Sequence, residues 1–267
     1  MFCEGRFAYG WIPVRDVAFV DQTFQEIFQL SDLLAVVRDD VPLADPDGTF
    51  HCMSEVGMVL PQLSPAWGEA GAQYTVLAER DEHGRAVAVP ALLPPGTAAP
   101  MPLPATPARF ASVAAEFIGE PYGWGDLYGW RDCSGLVLDL YTPFGIPLPR
   151  NSSQQAAKGE WIDAAGMNRA AKLELLQRRG LPWMTLVRKP GHVMVYVGER
   201  DGTPLVLHAL WGLKTERGGR EGRLVVGRAI VSTLTPGADR TDLAEDGVLL
   251  DAVTGFARID KPDDGRP

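Results

Sequence analysis

The chain has 267 residues, of which 46% are hydrophobic, and it carries a formal net charge of −9 with a sequence pI near 5.0. This acidic balance argues against nucleic acid as a partner, because phosphate binding needs a basic face. No run approaches the ~18 apolar residues of a membrane-spanning helix, so no membrane span is predicted. The three cysteines, Cys3, Cys52 and Cys133, show no paired spacing, and a disulfide framework is therefore not expected.

The first 30 residues are predicted to be the remainder of a small β module followed by a connecting helix. Glu4 and Arg6 interrupt any apolar region after Met1, so the sequence shows no signal peptide. Residues 7–13 read as the end of a small β-barrel, and we therefore expect an N-terminally truncated chain. A short helix is predicted over residues 21–34.

Residues 31–93 are predicted to form a small barrel of short strands. The strand-like runs and the turns between them are regularly spaced: runs at 35–38, 58–61, 74–78 and 86–89, and Asp- and Gly-containing turns at 45–48 and 81–84. His51, Cys52 and His83 lie in this region, and we interpret them as structural.

Residues 94–107 form a proline-rich segment that we predict to be a stiff linker. At its end, Thr106 is placed to cap a helix that has Pro107 at its first position. Gly119 is typical of the end of that helix. The linker is the clearest domain boundary in the sequence.

Cys133 is predicted to lie at the start of a later helix. Asp132 is a good N-cap, because its carboxylate can accept the unpaired backbone N–H groups of the first turn. Apolar residues at positions i+3, i+4, i+7 and i+8 from the cysteine give the helix one apolar face: Leu136, Val137, Leu140 and Tyr141. The positive end of the helix dipole favours a thiolate, which is the nucleophilic form of cysteine.

Two histidines are predicted to lie near each other on a β-hairpin. His192 begins one strand-like run, and His208 ends the next. Between the two runs, Asp201 and Gly202 supply the positive φ that a tight hairpin turn needs. A cysteine, a histidine that acts as its base and a polar residue that orients the histidine together make an activated thiol.

Two other interpretations of these residues stay open. A single cysteine in an apolar helix is more often a small buried hydrophobic residue. Cys133, His192 and His208 could also bind zinc, although the closely paired spacings of structural zinc sites are absent from the sequence.

Five segments match, in order, the motifs of the NlpC family of bacterial cell-wall cysteine peptidases: residues 121–125, 132–135, 148–155, 191–193 and 207–209. The stretch from about residue 108 to 259 therefore resembles an NlpC domain, which has a papain-like fold. Two departures occur. Gly125-Asp126 stands where the family has Gly-Gly, and residues 180–187 stand where it has a Pro-Gly-Asp-Leu strand. Neither departure involves a catalytic residue.

The resemblance implies an α+β chain with a papain-like catalytic domain at 108–259, preceded by small SH3-like β-barrel modules. The first module is expected to be truncated within residues 1–30, and the second is expected at 31–93. Residues 260–267 are predicted to be a disordered acidic tail. Neither a metal nor an organic cofactor is expected.

The family motifs also imply roles for single residues. Cys133 attacks the substrate carbonyl, His192 acts as the base and His208 orients His192. Tyr122 is assigned to the oxyanion site, together with the backbone N–H of Cys133. The expected substrate-binding residues are Asp132, Ser134, Trp124, Trp211 and, from the first β module, Tyr9.

By this resemblance, the expected activity is hydrolysis of peptidoglycan stem peptides or muropeptides. The expected bond is the γ-D-glutamyl-to-diamino-acid amide of peptides with a free N-terminal L-alanine. Two alternatives are a non-catalytic cell-wall-binding protein and a different thiol-dependent amidase or acyltransferase on the same fold. The diamino acid stays open, as does the choice between the cell envelope or periplasm and cytoplasmic recycling.

Overall fold

The computed structural model describes residues 1–4, 9–63 and 73–259. Residues 5–8 of the predicted first module, residues 64–72 of the predicted second module and the predicted tail at 260–267 lie outside the described residues. Within the described ranges, no helix is both long enough and apolar enough to cross a membrane.

The first of two compact units comprises residues 1–109 with 139–146 and is built mainly from short strands. Its elements are, in chain order, β1 (Phe2–Glu4), β2 (Tyr9–Trp11), α1 (Gln22–Leu30), β3 (Leu33–Val36), β4 (Pro42–Ala44), β5 (Phe50–Met53), β6 (Val59–Pro61), β7 (Gln73–Arg80), β8 (Ala86–Leu93) and β9 (Ala98–Pro100). They form a two-stranded sheet β1-β2, a three-stranded sheet β6-β3-β9 and a four-stranded sheet β5-β4-β8-β7. Buried apolar side chains of these strands, among them Leu34, Leu43 and Leu93, form one core.

The structure confirms the two predicted turns of this unit. In each turn an aspartate, Asp45 or Asp81, accepts through Oδ1 the backbone N–H groups of the residues two and four positions further on. The structure differs within the predicted linker, because Ala98–Pro100 pairs with β3 and so belongs to a sheet. The described strands form separate sheets and not one closed barrel. Local sequence patterns predict single strands, but they do not show how those strands pair into sheets.

The residues of this unit that were interpreted as structural have ordinary structural contacts. Cys52 packs against the apolar core, and the His51 ring pairs with the carboxylate of Glu79. His83 is exposed in the turn between β7 and β8. Both Cys3 and Cys52 are free thiols.

The second unit comprises residues 110–138 with 147–267 and contains a six-stranded sheet. Its elements, two of which extend past these bounds, are α2 (Pro107–Phe117), α3 (Cys133–Tyr141), α4 (Ser152–Ala156), β10 (Glu160–Asp163), α5 (Arg169–Arg179), β11 (Thr185–Lys189), β12 (His192–Arg200), β13 (Thr203–Arg217), β14 (Arg220–Thr233) and β15 (Gly255–Arg258). The strand order is β10-β15-β11-β12-β13-β14, and every neighbouring pair is antiparallel.

Two consecutive hairpins order the part of this sheet that carries the histidines. β12 and β13 turn at Asp201 and Gly202, whose φ angles are 51° and 72°, and this confirms the predicted hairpin. β13 then pairs with β14 along most of its length. The sequence patterns did not predict β14.

The helix α3 begins at Cys133, as the sequence predicts. The Asp132 Oδ1 accepts the backbone N–H groups of Ser134 at 3.0 Å and Gly135 at 2.8 Å, so the predicted N-cap is confirmed. The four residues predicted for the apolar face are all fully buried: Leu136, Val137, Leu140 and Tyr141. Burial of this face fixes where the first turn, and therefore the cysteine, lies.

Candidate active site

The thiol of Cys133 lies against the start of β12. The residue is only 7% exposed. The backbone N–H groups of Val193 and Ser134 lie near its Sγ and favour the thiolate form. Because Val193 directly follows His192, this proximity places the candidate nucleophile beside the candidate base.

Burial sets the resting protonation of both groups. It raises the pKa of Cys133. The N–H groups of Val193 and Ser134 lower that pKa, but by less than burial raises it. Burial also lowers the pKa of His192 well below its usual value, and the neighbouring His208 lowers it further. The resting pair is therefore a neutral thiol and a neutral imidazole, which differs from the thiolate expected from the helix dipole alone.

Two histidines and a serine form a hydrogen-bonded chain on one face of the sheet. The His192 Nε2 lies 2.8 Å from the His208 Nδ1. The His208 Nε2 lies 3.0 Å from the Ser232 Oγ. Strand register explains both contacts, because each partner sits diagonally across an antiparallel pair, on β12, β13 and β14 respectively. His192 and His208 are both buried, so water does not compete for these bonds.

The hydroxyl of Ser232 determines where the protons lie in this chain of hydrogen bonds. The Ser232 hydroxyl donates to the carbonyl of Thr233 at 2.8 Å. Its oxygen is then the acceptor for His208 Nε2–H, which leaves the His208 Nδ1 with a lone pair. That lone pair accepts His192 Nε2–H, and the His192 Nδ1 is left free to take a proton. Sequence analysis missed Ser232, because β14 was not predicted.

Arg150 joins two carboxylates beside the nucleophile. It binds Asp132 through Nη1–Oδ1 at 2.8 Å and Nη2–Oδ2 at 2.7 Å. It binds Asp126 through Nη2–Oδ1 at 2.9 Å and Nε–Oδ2 at 3.2 Å, and it donates to the Ser134 Oγ at 2.6 Å. Sequence analysis identified Asp126 only as a departure from the family pattern and Arg150 only as part of a motif, whereas the structure brings them together.

The Asp132 carboxylate is ionised and fully engaged. Burial alone would raise its pKa, but Arg150 and the N–H groups of Gly135 and Gly125 outweigh burial and hold the pKa of Asp132 below its usual value. The Ser134 hydroxyl also donates to Asp132 Oδ1, at 3.1 Å. Asp132 and Ser134, two of the residues predicted to bind substrate, thus have structural partners of their own.

The segment before the nucleophile bends sharply to deliver Asp126. Gly125 and Asp126 have φ angles of 66° and 63°, a left-handed conformation that glycine and aspartate tolerate. A Cβ added at Gly135 would lie 2.7 Å from the Asp126 Oδ1, so only glycine allows this approach. On the other side, the Gln155 Nε2 donates to the carbonyl of Ser134 at 2.8 Å. Residues of the matched motif at 148–155 therefore hold the nucleophile turn.

A cavity of about 320 Å³ opens beside His192, and both Tyr122 and Trp211 line it. Their ring centroids lie 5.8 Å apart. Burial, with Cys133 and Asp132 next in effect, raises the pKa of Tyr122, so its hydroxyl remains a hydrogen-bond donor near the thiol. Trp124 does not line this cavity and is 81% exposed.

Tyr9 belongs to β2 of the first unit, and its side chain lies outside the described part of the structure. Across the described ranges, the His, Cys, Asp and Glu side chains form no group of three or more that could bind a metal.

A cysteine at the start of a buried helix, facing hydrogen-bonded histidines on an antiparallel sheet, is the arrangement of papain-like cysteine peptidases. The NlpC/P60 family matches residues 119–214, and the SH3 domain of SH3b2 type matches residues 21–66. The chain therefore contains an NlpC/P60 domain preceded by an SH3b2-type domain, which confirms the predicted family resemblance and fold class.

Solved structures extend this likeness over nearly the whole chain. An NlpC/P60 endopeptidase from Photobacterium damselae subsp. piscicida is similar with a TM-score of 0.79 and 25% identity, covering 97% of this chain and 61% of that one. An NlpC/P60 family protein from Bacillus cereus has a TM-score of 0.58 and 18% identity, covering 94% of this chain and 70% of that one, which supports the fold alone.

A curated relative is similar over a shorter stretch. A gamma-D-glutamyl-L-lysine dipeptidyl-peptidase from Bacillus cereus is 32% identical over 87 residues, which is 31% of this chain and 23% of that protein. The chain thus matches about a quarter of the length of this relative.

The buried His208 makes stability depend on pH. Burial lowers the pKa of His208 to about 4, whereas an unfolded histidine titrates near 6.5. The contribution of the neutral, buried His208 to the free energy of unfolding is therefore fully present above about pH 6.5. It is lost as the pH falls from about 6.5 to about 4, by about 3 kcal/mol at most. We expect His208→Gln to lose less free energy of unfolding than the wild type between about pH 6.5 and pH 4, as measured by urea unfolding at each pH.

The exposed His83 gives the matched control, since His83→Gln removes a histidine that has a side chain 75% exposed. That variant should follow the wild-type profile. An equal acid-induced loss in His208→Gln and the wild type would contradict the burial argument.

Ser232 is expected to fix the tautomers of both histidines. In the wild type, long-range ¹⁵N–¹H correlation spectra should show His192 and His208 as Nε2–H tautomers. Ser232→Ala removes the acceptor, so His208 should populate the other tautomer and kcat/KM should fall about tenfold. Ser232→Thr keeps the hydroxyl and should restore both readouts.

Val231→Thr changes the exposed neighbour of Ser232 on β14 and serves as the control for strand integrity. It should leave the histidine spectra unchanged. Wild-type tautomers in Ser232→Ala would show that the serine is not what orients His208.

Proposed function

We propose that this chain is a cysteine peptidase that hydrolyses amide bonds in peptidoglycan stem peptides. The observation that carries the proposal is the position of the buried Cys133 thiol beside the start of β12, next to the hydrogen-bonded pair His192–His208. The names of the similar proteins, an endopeptidase and a gamma-D-glutamyl-L-lysine dipeptidyl-peptidase, support the reaction class.

In the first step the thiol attacks the substrate carbonyl carbon. Because both groups are neutral at rest, the Cys133 proton moves to the His192 Nδ1 as the C–S bond forms. The resulting imidazolium donates Nε2–H to the His208 Nδ1, which stabilises the positive charge. His208 already carries its own proton on Nε2, where it is bonded to the Ser232 hydroxyl, so His208 positions the base and is not a second proton carrier.

The oxyanion of the tetrahedral intermediate needs two donors. The backbone N–H of Cys133 is the first of α3 and has no partner within the helix. The protonated hydroxyl of Tyr122 is assigned as the second donor. Collapse of the intermediate breaks the C–N bond, and His192 gives its proton to the leaving amine. Water, deprotonated by His192, then cleaves the thioester and releases the acid.

The acyl side of the site suits a substrate that carries an ammonium group. Asp126 and Asp132 together carry two negative charges against the single positive charge of Arg150. The cluster is thus net negative, and the Asp126 side chain is 23% exposed. We therefore assign the free amine of an N-terminal L-alanine to this cluster, with the γ-D-glutamyl carbonyl at Cys133. Trp124 and Trp211 are assigned as flanking substrate contacts.

Cys133→Ala is expected to lower kcat/KM on stem peptides by about 10⁴-fold or more, because the variant has no thiol to form the C–S bond of the covalent intermediate. Cys3→Ala, which removes a thiol of the first unit, should keep wild-type activity. Hydrolysis in H₂¹⁸O, followed by mass spectrometry, should place the label in the glutamyl carboxylate. Retained activity in Cys133→Ala would refute the proposal, and transfer to an added amine without label would favour the acyltransferase alternative.

Free L-alanyl-γ-D-glutamyl-diamino acid peptides are expected to be cut faster than their N-acetylated forms. The reason is that acetylation removes the charge that the acidic cluster attracts. Asp126→Asn, which lowers the negative charge without changing shape, should reduce the ratio of the two kcat/KM values about tenfold. Glu174→Gln, an exposed carboxylate of α5, is the control. Equal rates on both peptides in the wild type would refute the amine assignment.

A further inference from the structure

The cavity beside His192 is separate from the acidic cluster. Residues that line it include Lys189, Gly191, Trp211, Lys214 and Arg223, together with His192 itself. None of Asp126, Asp132 or Arg150 lines it. The two sides of the base therefore offer two different chemical surroundings.

Positive charge is in excess in this cavity. The Lys214 Nζ is balanced by two carboxylates, Asp246 and Glu221, each at 2.8 Å. Among the described residues, no carboxylate lies within ion-pair distance of Lys189 or Arg223. Within the described ranges, Lys189 donates to the carbonyl of Pro190 at 3.2 Å, and Arg223 donates to the carbonyl of Gly212 at 3.5 Å. Two uncompensated cations thus face one cavity in a chain whose net charge is −9.

Both cations line the cavity that contains His192, and Lys189 pairs with His192 across β11 and β12. The pKa of Lys189 is lowered mainly by burial, Cys133 opposes this lowering, and Arg223 adds to it. Lys189 is half-buried and Arg223 is exposed at the cavity. Two positive charges that face one cavity repel each other, and an anion bound between them would remove this repulsion. A carboxylate is the anion that the peptide substrates carry.

The chemistry decides which part of the substrate enters this cavity. His192 must give its proton to the leaving amine, so the residue that bears this amine lies against His192. The acyl part extends from Cys133 toward Asp126 and Asp132. We propose that Lys189 and Arg223 bind a carboxylate of the residue that carries the leaving amine. This inference rests on the proposed function and adds to it a charge requirement on the diamino acid.

The carboxylate has two chemical sources. It is the α-carboxylate when the diamino acid is the C-terminal residue, and it is a side-chain carboxylate when the diamino acid is a dicarboxylic acid. Three peptides separate the sources: L-alanyl-γ-D-glutamyl-L-lysine, its C-terminal amide, and the peptide in which diaminopimelate replaces lysine. They carry one, none and two leaving-side carboxylates.

The wild type is expected to cut the amide with a kcat/KM about tenfold below that of the lysine peptide or of the diaminopimelate peptide, chiefly through KM. A loss on amidation identifies the α-carboxylate, and a gain with diaminopimelate identifies the side-chain carboxylate. Lys189→Gln and Arg223→Gln should each reduce the differences in kcat/KM among the three peptides. Arg220→Gln, on the same strand but outside the cavity, should leave them unchanged.

Equal kcat/KM values for all three peptides in the wild type would overturn this inference while leaving the proposed function intact. Differences that persist at full size in both Lys189→Gln and Arg223→Gln would also overturn it. Absence of cleavage of every peptide is a different result, because it rejects the proposed function itself. The wild-type comparison needs no variant, so it stands even if a substitution impairs folding.

Discussion

The carboxylate of Asp132 fixes the geometry on which the site depends. It accepts the N–H groups of Ser134 and Gly135 in the first turn of α3, and so it determines that the helix starts at Cys133. A buried carboxylate is costly unless it is paired, and Arg150 pairs it with two hydrogen bonds. Arg150 also holds Asp126, which ties down the bent segment before the nucleophile. Removing Arg150 would therefore disturb the helix start and this segment together.

The opposite wall of the site is fixed by strand register. His192, His208 and Ser232 lie on one face of three neighbouring antiparallel strands, where diagonal neighbours reach each other. A register shift of one residue would turn one member of the chain to the other face of the sheet. Hydrogen bonding within this buried chain then sets which nitrogen of His192 is free. The backbone of the sheet thus sets the position of His192, and a serine hydroxyl sets its tautomer through His208.

Charge divides the site into two sides around the thiol. The Asp126–Arg150–Asp132 cluster is net negative, and the cavity that contains Lys189 and Arg223 is net positive. A peptide with an ammonium group on its acyl side and a carboxylate on its leaving side would be oriented by this division. Such orientation complements the covalent chemistry, because it fixes which carbonyl meets the sulfur.

Local signals were enough to predict the parts of the site that lie close together in sequence. The N-cap Asp132, the buried face of α3 and the hairpin at Asp201 and Gly202 each follow from a pattern within a few residues. Ser232 and Arg223 lie on β14, whose pairing partner is set by tertiary packing, so no local pattern pointed to them. The thiolate expectation was also local, since it considered the helix dipole but not the burial that raises the pKa of Cys133.

Direct detection of the acyl-enzyme tests the central claim that the thiol of Cys133 attacks the substrate carbonyl. The nitrophenyl γ-ester of L-alanyl-D-glutamate should acylate the enzyme faster than the thioester is hydrolysed, because nitrophenolate is a good leaving group. After an acid quench, intact-mass spectrometry and peptide mapping should find the L-alanyl-D-glutamyl group on the peptide that contains Cys133. A burst of nitrophenolate stoichiometric with enzyme should accompany it. Release of nitrophenolate with the acyl group on another residue, or with no adduct at Cys133, would contradict the account.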